Sequence, residues 1–125
     1  MNFIEKALVR KVLKPRLVNS GDGHCELHFE GMPMIRKTGG NYIQFLADVM
    51  KYLPGVETAE MDENAGILSV SYDHSRTDDK KILKWFDTAV ESGLKASDEV
   101  DFNKADISEI KAAIKKHLLP KASEF

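Results

Sequence analysis

Histidine, carboxylate and thioether side chains cluster in one short stretch of this chain, and their spacing sets which chemistry is open to it. His24, Glu26 and His28 recur at every second position. An extended strand puts such residues on one face, with neighbours roughly 6–7 Å apart. Imidazole and carboxylate so arranged can hold Zn, Ni, Cu(II) or Fe, with His74 as a further donor. Met32 and Met34 flank Pro33 a few residues later, and two thioethers are soft donors suited to Cu(I). The candidate metal ligands are therefore His24, His28, Met32 and Met34, and the candidate cofactor is a transition-metal ion. A plainer reading stands beside each. The histidines can belong to a solvated sheet face, and the methionines can be one core residue and one loop hydrophobe. Cys25 alternates with His24, so it points to the apolar side with Leu27 and Phe29. As the single cysteine it excludes an internal disulfide and fits a reducing compartment.

These residues need elements to position them. Asn2 to Lys14 has helical apolar spacing in Phe3, Ile4, Ala7, Leu8, Val12 and Leu13, and Pro15 closes the run. Asn19 to Gly23 reads as a turn or loop, and His24 to Glu30 as a half-buried strand. Gly31 to Gly40 reads as a loop. Asn41 is placed to cap a helix carrying Ile43, Leu46, Ala47 and Met50, which Pro54-Gly55 ends. Val56 to Asp62 and Ile67 to Asp73 form a hairpin around Asn64-Ala65-Gly66. Thr77 or Asp78 opens a helix bearing Ile82, Leu83, Phe86, Ala89 and Val90, with Gly93 at its end. Leu94 to Ser97 is then a short strand at a sheet edge. Asp106 opens a last amphipathic helix, with Ile107, Ile110, Ile114 and Leu118 on one side, that Pro120 terminates. The order strand–helix–strand–strand–helix–strand over residues 24–97 predicts an α+β fold, a ferredoxin-like βαββαβ sandwich with additional N- and C-terminal helices. The chain divides into an N-terminal amphipathic helix (1–16), the sandwich (24–97), and an acidic linker with a C-terminal helix (98–125).

Several of these pieces occur together in a known frame. Gly31-Met32 follows the first strand, Leu53-Pro54-Gly55-Val56 ends a helix, and Ile67 to Tyr72-Asp73 is a strand ending Tyr-Asp. Thr77 then opens a helix, and Ser92-Gly93-Leu94 precedes the last strand. Over residues 24–97 the chain resembles heavy-metal-associated domains of the copper-chaperone type. Their loop reads Gly-Met-x-Cys-x-x-Cys and holds a soft ion between two thiolates. Here Met34 and Lys37 stand where those cysteines would be, and Thr38-Gly39-Gly40 lengthens the loop. The resemblance implies the fold together with a degenerate metal loop. A thioether is a weaker soft donor than a thiolate, and Lys37 brings positive charge to a cation site.

No Ser-His-Asp or Cys-His arrangement is present, because Cys25 and His24 face opposite ways. Arg36 and Asn64 offer the pair that acylphosphatases of the same fold use, but Asn64 falls in a turn and Pro33 removes one backbone donor. A non-enzyme is expected. The 125 residues carry 42% hydrophobic and 30% charged side chains, an ordinary globular balance. A net charge of −2 gives no reason to expect nucleic acid, and no apolar run reaches membrane-span length. No secretion signal is read, so a cytoplasmic location is expected. The terminal helices each pair an apolar stripe with a basic face. They either complete the core or present the stripe to a protein partner or a second copy. The expected function is a non-catalytic adaptor or regulatory module, linked to metal homeostasis and acting by protein–protein interaction. The alternatives are a metal-binding protein with non-thiolate ligands and an acylphosphatase-like enzyme.

Overall fold

Alternation of apolar and polar residues builds the sheet. Strand β2 (His24–His28) buries Cys25 and Leu27 and turns His24, Glu26 and His28 the other way. Strand β4 (Ile67–Tyr72) buries Leu68, Val70 and Tyr72, and β3 (Val56–Asp62) adds Ala59. The computed structural model describes residues 1–39 and 42–125, without the side chains of residues 38 and 39. A further strand, β1 (Arg16–Gly21), precedes the others and pairs with β2. All pairings are antiparallel and the order is β1-β2-β4-β3. On the apolar face Leu17, Leu27, Leu68 and Met61 lie in one cross-strand row, and Cys25, Val70 and Ala59 in the next.

The α+β class and the antiparallel sheet agree with the sequence reading, but one strand is added and one is lost. Residues 19–23 are not a continuous loop: β1 runs through Asn19 and Ser20 to Gly21, and only Asp22-Gly23 turn. The pairing slips between Val18 and Gly21, where Asn19 adopts φ 46°, and this bulge interrupts the alternation by which a strand is recognised. At the other end, Leu94 to Ser97 is not a strand. Helix α4 spans Asp79–Glu99 without a break at Gly93. Continuing the helix buries Leu94 and Ala96, and Ser92 and Ser97 spend their hydroxyls on the carbonyls of Thr88 and Leu94. The order of sheet elements is therefore strand–strand–helix–strand–strand–helix, with an N-terminal strand at the edge beside β2.

The helices pack on the apolar face of the sheet. Asp78 caps α4 through the Lys81 N–H at 2.9 Å. Ile82, Trp85 and Phe86 of α4 are fully buried, and Phe86 meets Phe29 edge-on at 5.1 Å. Residues 31–40, expected as a loop, instead contain helix α2 (Met32–Gly39). Pro33 in its first turn loses no hydrogen bond that the helix needs. Helix α3 (Ile43–Asp48) continues as a 3₁₀ turn, Val49–Tyr52, whose Val49 carbonyl accepts the Trp85 indole N–H at 2.8 Å. The expected cap Asn41 lies outside the described residues.

The two terminal helices behave differently. Helix α5 (Ile107–Leu118), capped by Asp106, packs along α4 with Ile110 and Leu118 fully buried. Its basic side is partly spent on aromatic rings: Lys111 lies over Phe45 at 5.4 Å and Lys115 over Tyr52 at 5.3 Å. A closing 3₁₀ segment (Leu119–Glu124) brings Phe125 edge-on to Trp85 at 5.1 Å. Helix α1 (Phe3–Val12), held at its start by a reciprocal Asn2–Glu5 capping box, has no buried residue.

Candidate functional site

The sheet face opposite the core carries three cross-strand rows. Arg16, His28, Ile67 and Asp62 form one, and Val18, Glu26, Ser69 and Glu60 the next. His24, Ser71 and Thr58 form the third. His24 and His28 thus share a face as expected, but four strand steps separate them by roughly 13 Å. A common ion would have to be bridged by Glu26, and that carboxylate already accepts from the Asn19 amide at 2.6 Å and the Ser69 hydroxyl at 3.4 Å. His28 is engaged too. Its Nδ1 lies 3.1 Å from Nη2 of Arg16, which can only donate, so Nδ1 accepts and the ring proton sits on Nε2. The same guanidinium donates to Glu30 at 3.0 Å. His74 is exposed in the turn after β4. Among the described residues, no group of three or more His, Cys, Asp or Glu side chains is placed to hold a metal ion.

The thioether set is not brought together. Met32 is 3% exposed and packs in the core, whereas Met34 is 47% exposed. Two residues apart on α2 they point about 200° from each other, so no single ion is reached by both. A loop would leave their separation open; the helix fixes it. Cys25 is fully buried, and burial, with Asp79 and Glu26 nearby, pushes its thiol up to about 11. It is a protonated core side chain at neutral pH.

The structure does place Arg36 and Asn64 on one surface cleft, about 340 Å³ in volume, between α2 and the β3–β4 turn. The backbone donors at the start of α2 are already engaged. The N–H of Met32 goes to the Phe29 carbonyl, those of Met34 and Ile35 go to the Gly31 carbonyl, and Pro33 has none.

Of the two orientations open to the terminal helices, α1 takes the one with its apolar stripe outward. Lys6 pairs with Asp98 and Arg10 with Glu91, each at 2.7 Å, so the charged side of the helix faces α4. The guanidinium bonded to Glu91 holds that carboxyl below its usual range, and Lys6 does the same for Asp98. Only Val12 and the following Leu13 reach the core. Phe3, Ile4 and Leu8 point outward and are 82%, 77% and 51% exposed. The helix is docked inside out, charges inward and apolar stripe to solvent. Glu91 and Asp98 are seven residues, about two turns, apart on α4, and share a face only once 94–97 is known to be helical.

Comparison with family models, with curated proteins and with solved structures found no match to this chain.

Proposed function

We propose that this chain is a non-catalytic adaptor or regulatory module that binds another polypeptide through the outward stripe of α1. The observation that carries the reading is the inverted docking of that helix. An apolar stripe normally turns to the core. Here the contacts to α4 are surface ion pairs, only Val12 and Leu13 at the end of the segment reach the core, and the stripe Phe3, Ile4 and Leu8 is left in water. Residues at i, i+4 spacing on one helix face are the usual anchors for a partner's apolar groove, and Ile4 and Leu8 have that spacing. The same proposal keeps the kinship with heavy-metal-associated domains, as a degenerate member without the thiolate pair, and the link to metal homeostasis. It also places the chain in the cytoplasm. A lone, protonated Cys25 and the lack of any described helix long and apolar enough to cross a membrane support that placement.

Photo-crosslinking tests the reading. A photoreactive side chain at position 4, in extract of the source cells, gives one discrete polypeptide adduct. Excess unlabelled chain competes it away, and the Phe3→Ser/Ile4→Ser chain does not. Diffuse labelling, or equal competition by both chains, would reject the α1 surface.

A further inference from the structure

We propose that the cleft between α2 and the β3–β4 turn binds a small zwitterion, an α-amino acid with a short apolar side chain. Its carboxylate would sit on Arg36 and its ammonium on Glu63. This goes beyond the adaptor reading and stands on different residues.

Part of the lining is apolar: Met32 and Phe29, 3% and 1% exposed, face the cleft together with Pro33 and Ala65. The turn cannot drift, because Asp62 Oδ1 accepts from the N–H groups of Asn64 and Ala65 at 3.0 and 3.1 Å. Phe29 N–H donates to the Gly66 carbonyl at 2.8 Å, tying the turn to the end of β2. Gly66 also keeps the space open. It has φ 68°, and a Cβ there would lie 2.7 Å from the Phe29 carbonyl and 3.2 Å from Met32 Cβ.

The charges around the cleft select the ligand. Arg16 and Glu30 neutralise each other, and Arg16 also occupies Nδ1 of His28. Arg36 and Glu63 remain. Among the described residues neither forms an ion pair or hydrogen bond, and both line the cleft. Arg36 comes from α2 and Glu63 from the turn, so one cation and one carboxylate line the cleft from different elements. A guanidinium fork matches a carboxylate bidentately. A simple anion would face Glu63 and a simple cation would face Arg36, whereas a zwitterion satisfies both. The cleft volume of about 340 Å³ is at the small end of ligand sites and suits a molecule of amino-acid size.

The test is a nuclear magnetic resonance titration of the isotope-labelled full chain. The probes are L-leucine, acetate and methylammonium, applied to the parent, Arg36→Ala and Glu63→Ala. Both positions are exposed, so neither change threatens folding. Leucine is expected to saturate, with a dissociation constant on the order of millimolar, and to shift backbone amides of α2 and of the Asn64–Gly66 turn. Each variant weakens it by about tenfold or more, the worth of one charge-assisted hydrogen bond. Acetate binds more weakly than leucine, is weakened by Arg36→Ala and is strengthened by Glu63→Ala; methylammonium responds the opposite way. Shifts that do not saturate by about 50 mM leucine, far above the expected millimolar constant, overturn the proposal. So do unchanged affinity in either variant and acetate binding as tight as leucine.

Discussion

Gly66 shows how one residue without a side chain joins two parts of the molecule. Its backbone is left-handed, and its neighbours stand where a Cβ would go. Gly66→Ala is therefore expected to destabilise the chain by roughly 1–3 kcal/mol, through strain and a backbone collision. Chemical denaturation measures this, and a loss below about 0.5 kcal/mol would mean the turn is not pinned as described. Cys25 makes the complementary point about chemistry at the residue scale. Alternation with His24 is enough to put it on the core face, and the structure agrees, with the thiol buried and protonated. Met32 and Met34 were not resolvable in the same way. Their types suggested softness, but whether two thioethers meet depends on the backbone between them. That backbone is helical, which points them apart.

At the scale of elements, the strands with regular alternation were legible and the irregular pieces were not. Cys25-Glu26-Leu27 and Leu68-Ser69-Val70 state their own register. Arg16 to Gly21 does not, because the bulge at Asn19 breaks the period, although Asp22-Gly23 is a standing hairpin signal. Gly93 misled in the opposite direction. Glycine often closes a helix, and Leu94-Lys95-Ala96-Ser97 then alternates like a strand. Packing against α5 overrides that local preference. The continued helix yields a direct prediction. A Cβ on Gly93 would rest 3.9 Å from Ile114 Cδ1, an ordinary contact, and φ there is not left-handed. Gly93→Ala should therefore raise stability by about 0.5–1 kcal/mol, from higher helix propensity and lower entropy in the unfolded chain. If Gly93 were instead a left-handed terminal residue before a strand, the same change would destabilise. A thermal melt separates the two outcomes.

For the molecule as a whole, carboxylates hold the ends of its helices and turns, and this sets a pH window. Glu91 and Asp98 hold α1, Asp106 caps α5, and hydrogen bonds to Ser75 hold Asp73. All four carboxyls are lowered in the folded chain, chiefly by those hydrogen bonds. Their stabilisation is complete above the ordinary carboxylate range. It is lost as pH falls through the lower folded-state values, because the unfolded chain then binds protons more readily. At the alkaline end, burial raises Cys25 from 9.0 to about 11 and also raises Tyr72. The Cys25 contribution is complete below its unfolded value and fades as pH climbs from 9.0 toward about 11, and the Tyr72 contribution is lost in the same direction above that group's ordinary value. Denaturation midpoints measured against pH should form a plateau that falls on both sides. Cys25→Ser should flatten the alkaline slope, and an unchanged slope in that variant would contradict the assignment.

Helix α1 meets α4 through its charges and leaves its apolar stripe in water. Hydroxyl-radical footprinting read by mass spectrometry tests this directly. In the isolated chain Phe3, Ile4 and Leu8 should oxidise heavily while Trp85 and Phe86 are spared. In the cross-linked complex the three α1 residues should become protected. Protection of Phe3 and Ile4 already present in the isolated chain would show that the stripe is covered by the molecule itself, and would contradict the claim that it is a docking surface.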